Sequence, residues 1–453
     1  MLSKNKHSID MLNGPIFRKL LLLAVPITLA SVLQQLFNTA DIAVAGRYLS
    51  TQAMAAAGCN VPVIGLFINL LSGLALGANV FIAKGIALRQ RGRVHAGVQT
   101  TMTIALLLSL LVMIIGLVAA RSILELIATP ADVMDEAIIY LRVYLLGLPF
   151  LTLYNFGSAV LRADGDSLRP LYALIAANLV NIVLDLVFTI GLGWSIGGIT
   201  LATTLANGVN AAIVLYYLIH ETGYLHFNWN VPCFNRECIA EIVCIGGPAS
   251  LQGVVFCFSN IVLQGAINSF GSDAAAGVAA ALTFEFIAYF VVNGFTQAAV
   301  TFTSQNYAAH LFSRCRRIFR HSLLASMLLT ALVSLSFISQ RDLLLGFFHP
   351  TEAAMGYALI RLFAATLPEC LTATYEIPGA CLRGMGISLL PALETLFGSC
   401  LLRVAYVFLI FPSLPDFVYL SALYPVTWVV TGTLVMSTYF LTRRHLEKKP
   451  NQL

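Results

Sequence analysis

Six carboxylates stand inside long apolar stretches of this 453-residue chain: Asp41, Asp185, Glu285, Glu369, Glu376 and Glu394. Asp41 follows a run, Leu20 to Leu36, that holds no charge at all. A charge at the centre of a bilayer costs at least ~2.5–3.5 kcal/mol on insertion scales, so acids in such surroundings mark ion or substrate paths by default. Gln34, Asn38 and Asp41 are spaced four and three residues apart, which puts them on one face of a helix. Asn178, Asn181 and Asp185 repeat that pattern in a second stretch. Tyr140, Tyr144, Thr203 and Thr204 open two further stretches and are expected at the same depth. The chemistry this set suits is proton exchange: an acid facing water can take up a proton, and once neutral it no longer attracts a cation. The other reading, two acids reaching out to the membrane surface, leaves the matching amide and hydroxyl partners without a purpose.

Such residues need elements that hold them inside a membrane. The sequence is 58% hydrophobic and 10% charged, against about 25% charged for a soluble domain. Apolar runs long enough for a hydrocarbon core of about 30 Å recur from end to end. Hydropathy and helix breakers divide them into twelve spans, at 16–45, 53–83, 96–120, 137–161, 169–190, 198–220, 239–266, 275–305, 321–340, 353–381, 388–411 and 417–442. Strands of a membrane barrel would alternate apolar and polar residues, and these runs do not. The expected class is therefore an all-α integral membrane protein. The first run is too long for the core of a signal peptide and is read as a retained span.

Twelve spans place both termini on one side. Twenty of the 26 lysines and arginines fall on that side, among them Lys84, Arg89, Arg91, Arg93, Arg314, Arg316, Arg317 and Arg320. The bias predicts cytoplasmic termini in a plasma (inner) membrane. It also accounts for the net charge of +5, so no nucleic-acid partner is called for. The nine cysteines are scattered and no Cys/His pattern has metal-ligand spacing, so neither a metal nor another cofactor is expected. No HExxH helix or intramembrane His pair is present, which argues against an enzyme.

The chain also repeats itself. Residues 153–170, LYNFGSAVLRADGDSLRP, align with 374–391, TYEIPGACLRGMGISLLP, through Tyr154/Tyr375, Ala159/Ala380, Leu161/Leu382, Arg162/Arg383, Gly165/Gly386, Ser167/Ser388, Leu168/Leu389 and Pro170/Pro391. A neighbouring offset pairs Pro26 with Pro248 and Asn38 with Asn260. Six spans per half make the repeat parallel, a plan that sets a substrate cavity between two lobes. The expected organisation is an N-lobe at 1–220, a cytoplasmic linker at 221–238, a C-lobe at 239–442 and a cytoplasmic tail at 443–453.

QQLFNTADIAVAGRYLSTQAMAAAG (34–58), LRADGDSLRP (161–170), NIVLDLVFTIGLGWSIGGITLATT (181–204), TSQNYAA (303–309) and LRGMGIS (382–388) together carry a resemblance to the multidrug and toxic compound extrusion (MATE) transporters. The resemblance spans essentially the full length. It implies two six-helix bundles, access alternating between the two faces of the membrane, and ion-driven export of organic cations or other amphipathic compounds. It implies proton coupling through the first-span and fifth-span aspartates, here Asp41 and Asp185. Gln34, Asn38, Tyr140, Tyr144, Asn155, Asn178, Asn181 and Thr203 form the expected supporting network, and Pro26 a helix bend.

Members of the NorM type use acids on spans seven and ten. Span seven here offers Gln252, Asn260, Gln264 and Asn268 but no acid, and Leu263 stands where the repeat would place one. Proton coupling in the N-lobe, as in DinF-like members, is therefore expected over sodium coupling. Asn260, Gln264, Glu285, Glu369 and Glu376 are C-lobe candidates for substrate or cation. For Glu285, Glu369, Glu376 and Glu394, pairing with Arg361, Arg383 or Arg403 is an equal alternative. A lipid-linked substrate flippase of the same fold would want a strongly cationic cavity, and only Arg142, Arg361 and Arg403 are intramembrane. The expected partners are small amphipathic or cationic substrates and the lipid bilayer, with the protein acting as a monomer.

Overall fold

A computed structural model of the protein describes residues 8–48, 51–127, 129–131, 133–221, 223–231, 233–346, 348 and 351–448, with backbone alone for 37–48, 51–55 and 446–448. Twelve helices are long and apolar enough to cross a membrane. They are α1 (Ile16–Tyr48), α2 (Thr51–Ala87), α3 (Arg91–Leu126), α4 (Met134–Ala163), α5 (Leu168–Gly191) and α6 (Ile196–Ile219). The second six are α7 (Arg236–Asn268), α8 (Ser272–Ala308), α9 (Phe312–Ser339), α10 (Glu352–Gly384), α11 (Leu389–Ile410) and α12 (Phe417–Lys448). Among the described residues all regular structure is helical, because a backbone without water must satisfy its own hydrogen bonds.

The turns that repeat in sequence repeat in backbone. Gly165 and Gly386 both take the left-handed conformation, at φ +91° and +93°. At Gly165 a Cβ would also lie 2.7 Å from the carbonyl oxygen of Ile9, so glycine is required twice over. Beside it Asp166 caps α5, its Oδ1 accepting from the N–H groups of Leu168 and Arg169 at 3.1 Å. Asp166 also pairs with Arg169, whose Nη1 donates to Glu221 at 2.7 Å. The Asp-Gly-Asp turn is thus built on ion pairs, and no group of three metal-ligating side chains occurs among the described residues.

Contacts divide the chain into two compact units, though not at the boundary read from the sequence. The first holds residues 1–10 and 29–250, the second 11–28 and 251–453. The opening part of α1 therefore packs with the second unit and that of α7 with the first. Glycines make both arrangements possible. In the first unit a Cβ on Gly73 of α2 would lie 2.3 Å from the backbone nitrogen of Ser250 on α7. In the second, a Cβ on Gly294 of α8 would lie 2.0 Å from the Thr28 hydroxyl on α1. The two contacts occupy matching places of the repeat. Pro26 and Pro248 lie inside their helices, each two residues before the point where membership changes.

The segment read as a linker belongs to the first unit. Leu225 and Phe227 are buried in the core formed with Val98, Phe156 and Val214. The Phe227 N–H donates to Leu218 O at 3.0 Å, and Tyr224 Oη donates to Asp164 Oδ1 at 2.7 Å. Asn235 closes the segment by capping α7, accepting from the N–H groups of Glu237 and Cys238.

Candidate functional site

Two polar clusters lie inside the membrane helices, one in each unit. In the first unit α5 carries Asp185 and Asn181 at 2% and 4% exposure. Asn178 is half-buried one turn earlier, and Thr189 is buried one turn later, where α5 relaxes into a wider π turn at Val187–Gly191. The amide Nδ2 atoms of Asn178 and Asn181 are buried with no acceptor among the described residues. Buried donors without partners cost about 1–3 kcal/mol each, so this face of α5 is organised around something polar. Asn38 and Asp41 fall on α1, and their side chains lie outside the described residues; Gln34 on the same helix is exposed.

The neighbouring helices supply the hydroxyls unevenly. Tyr140 and Tyr144 stack one turn apart on α4, centroids 6.5 Å apart. Thr203 is taken up by its own helix, its hydroxyl donating to Ile199 O at 3.1 Å. Thr204, buried, instead ties α6 to α4 by donating to Val143 O at 3.0 Å. Asn155 is half-buried further along α4, about 17 Å beyond Tyr144 at 1.5 Å per residue. It stands at a different depth from Asp185's expected partners. Pro26 is buried on the part of α1 that packs in the second unit.

The second unit holds a denser cluster. Glu285 of α8 and Arg361 of α10 form a bidentate pair, Nε to Oε2 at 2.9 Å and Nη2 to Oε1 at 2.8 Å. Arg361 also lies over the ring of Tyr424 on α12, its Cζ 3.7 Å from the centroid. Arg403 of α11 approaches the same ring at 4.3 Å and donates from Nε to Thr427 Oγ1 at 3.0 Å. The two guanidinium carbons are thus at most about 8 Å apart and repel by about 2 kcal/mol at an effective dielectric of 20. Glu285 is the counter-charge that pairs with Arg361. Glu369 is 2% exposed, and its Oε2 and the Arg403 Nη2 are buried with no hydrogen-bond partner among the described residues.

Irregular backbone presents these groups. Arg361 is followed by a π turn at Leu362–Thr366 and a 3₁₀ segment at Leu367–Thr372, where Pro368 removes a helical hydrogen bond beside Glu369. A second π segment, Leu396–Leu401, precedes Arg403. Such widened turns cluster at functional sites.

The other sequence candidates of this unit are less central. Glu376 is half-buried and accepts from Tyr289. Glu394 accepts from Thr438. Arg383 Nη2 donates to Gln252 Oε1 at 2.8 Å. Asn260 is exposed, and Gln264 Nε2 donates to Asn268 Oδ1 at 2.9 Å along the same helix. Tyr424, the ring that gathers both arginines, has no sequence signature beyond being an aromatic in a span. Between α7 and α11 an apolar cavity of 490 Å³ is lined by Val255, Phe258, Val262, Leu396, Phe397 and Cys400. Phe256, next along α7, faces Arg403 at 5.7 Å.

Comparison with known proteins agrees with the two-unit plan. Residues 26–187 and 248–409 each match the MatE family, once per repeat. The probable multidrug resistance protein YoeA of Bacillus subtilis is 27% identical over 402 residues, covering 84% of each chain. The multidrug export protein MepA of Staphylococcus aureus is 20% identical over 66% of each chain. An outward-facing multidrug resistance MATE transporter of the MOP superfamily superposes with a TM-score of 0.89 and 22% identity, covering 98% of this chain and all of that one. The chain belongs to the MatE family of multidrug efflux transporters, and it is a membrane transporter rather than an enzyme.

Proposed function

We infer that this transporter exports organic cations and other amphipathic compounds in exchange for protons, by alternating access, from a plasma (inner) membrane with both termini in the cytoplasm. Asp185, with Asp41, is the proton switch. The observation that carries this reading is the buried run of polar groups on α5, in which Asp185 stands one turn from amides whose buried donors lack acceptors. When such a carboxyl group gains or loses a proton, the hydrogen bonds that these amides can make change with it. Pro26 gives α1, which carries Asp41, a place to bend in response. One proton supplies about 1.4 kcal/mol per pH unit and about 2.3 kcal/mol per 100 mV, enough to sustain a substrate gradient.

Protons rather than sodium are favoured by the second unit's charges. Glu285 is held by Arg361, and Arg403 adds a second positive charge close to the same ring. A sodium ion near Glu369 would meet both guanidinium groups. The apolar cavity between α7 and α11 has the size of a drug-binding pocket, which fits the substrate class that the relatives' names state for those proteins. The protein acts as a monomer in this account. Dye efflux from vesicles under either a pH or a sodium gradient tests it. Efflux should follow the pH gradient alone and be lost in Asp41→Asn that still inserts; full activity of that variant removes Asp41 from the mechanism.

A further inference from the structure

The opening turns of α9 carry charges that neither transport cluster uses. The helix, FSRCRRIFRHSLLASMLLTALVSLSFIS, contains no acid along its length. Its first arginine, Arg314, is engaged, donating to Asn306 Oδ1 at 2.9 Å and to the carbonyl oxygens of Met11 and Gly14. The next three are arranged differently. Ser313, Arg316, Arg317 and Arg320 line a groove of 290 Å³. Arg316 Nη2 donates to the Ser313 hydroxyl at 3.2 Å. Arg317 and Arg320 are exposed, and no carboxylate pairs with either among the described residues.

The remainder of the helix identifies the ligand. Arg317 and Arg320 continue, at three- and four-residue spacing, into Leu324, Leu328, Leu332 and Leu335, which therefore share their face. Those leucines are 59%, 68%, 64% and 55% exposed. The opposite face, with Cys315, Ile318, Phe319 and Ala325, is buried. An uncovered leucine stripe on a membrane-spanning helix meets acyl chains, since exposure to water would forfeit the favourable burial of each side chain. One face thus offers a cationic groove where the helix begins and a hydrocarbon track beyond it. The amide groups of the first helical turn point towards the same end and add positive potential.

We propose that this face binds an anionic phospholipid, its headgroup phosphate held by Arg316, Arg317 and Arg320 and its acyl chains lying along Leu324 to Leu335. The ligand is a membrane lipid rather than a free phosphate because only a lipid satisfies the charged and the apolar part together. The Lys/Arg bias puts this end of α9 in the cytoplasmic leaflet, where anionic lipids attract basic side chains.

Native mass spectrometry of the full-length protein, stripped of lipid and then given phosphatidylglycerol, phosphatidylcholine of the same chains, or inorganic phosphate, tests the assignment. The wild type should prefer phosphatidylglycerol over phosphatidylcholine, and inorganic phosphate should not displace it. Arg317→Gln/Arg320→Gln should lower phosphatidylglycerol binding about twenty-fivefold, taking about fivefold for each arginine, while Arg317→Lys/Arg320→Lys keeps the preference. Should the double glutamine variant fail to fold, Arg317→Gln alone carries the same comparison at about fivefold. Equal binding of the two lipids by the wild type overturns the proposal. So does an undiminished preference in the glutamine variants, or displacement by inorganic phosphate, which would mark a site for a free anion.

Discussion

Replacing Arg361 with methionine removes half of the buried pair that braces α8 against α10, and the consequence can be worked out from the geometry. Two charges about 4 Å apart at an effective dielectric of 20 attract by about 4 kcal/mol. Both partners are buried, Arg361 at 2% and Glu285 at 8% exposure, so the stranded glutamate also lacks water. Breaking such a pair from one side costs about 3–5 kcal/mol. The contact with Tyr424, at 3.7 Å, adds about 1–2 kcal/mol of cation–π attraction lost, and relief of the Arg361–Arg403 repulsion returns about 2 kcal/mol. The net expectation for Arg361→Met is a loss of about 2–5 kcal/mol. Glu285→Gln should cost a similar amount, because it leaves Arg361 and Arg403 beside one ring without the carboxylate that pairs with Arg361. The double variant, which buries no uncompensated charge at these two positions, should recover most of either loss. Unfolding in bicelles, measured for the wild type, both singles and the double, gives the coupling energy directly, and a value larger than either single loss is expected. Losses that simply add in the double variant would show that the two side chains do not act as a pair, and the reasoning would fail.

Other consequences can be read from stability and proteolysis. Burial lifts the Asp164 carboxyl from 3.8 to about 6, against the hydrogen bond from Tyr224 that favours its charged form. A raised folded-state value means its contribution is complete below about pH 4 and is lost as pH climbs through 6, by at most ~3 kcal/mol; Asp164→Asn, which can still accept from Tyr224, should abolish that slope in thermal unfolding measured from pH 4 to 7.5. Gly294→Ala should lower stability by about 1–3 kcal/mol through overpacking, since its Cβ meets both Thr28 Oγ1 and, at 2.9 Å, the Ala24 carbonyl; adding Thr28→Ala should restore part of it, and no recovery would argue against that contact. Phe227→Ala should cost about 3–5 kcal/mol as a core truncation and expose 221–235 to protease, whereas an aromatic merely resting at the membrane surface would leave both unchanged.

The twelve spans were legible because each is an apolar run, but the helices overrun them wherever charge ends the run before the backbone does. The ninth span reads as 321–340 in hydropathy, yet α9 begins at Phe312: arginine forms helix well, and its charge hides the first turns from a hydropathy window. The repeat was legible in identities such as Arg162/Arg383. The exchange of the opening parts of α1 and α7 was not, because Gly73 and Gly294 look like ordinary small residues until a partner backbone lies against them. Along α5 the facing of Asn178, Asn181 and Asp185 follows from helical spacing alone. The different depth of Asn155 follows from spacing as well, since it lies eleven residues past Tyr144 on the same helix. Glu285 and Arg361 lie on different helices with no local pattern to join them, and sequence could offer their pairing only as one of several. Tyr424 was invisible for the same reason: its role comes from the two arginines that fold against it.

The central claim is that transport and proton movement are one process that passes through Asp185. Its most direct test is to seal the purified protein in vesicles, impose a gradient of a cationic dye with no pH or sodium gradient, and follow the internal pH. In the wild type, protons should move opposite to the dye, and in Asp185→Asn that inserts normally the pH should stay flat. Dye transport by the wild type without proton movement, or unchanged proton movement in Asp185→Asn, would contradict the account.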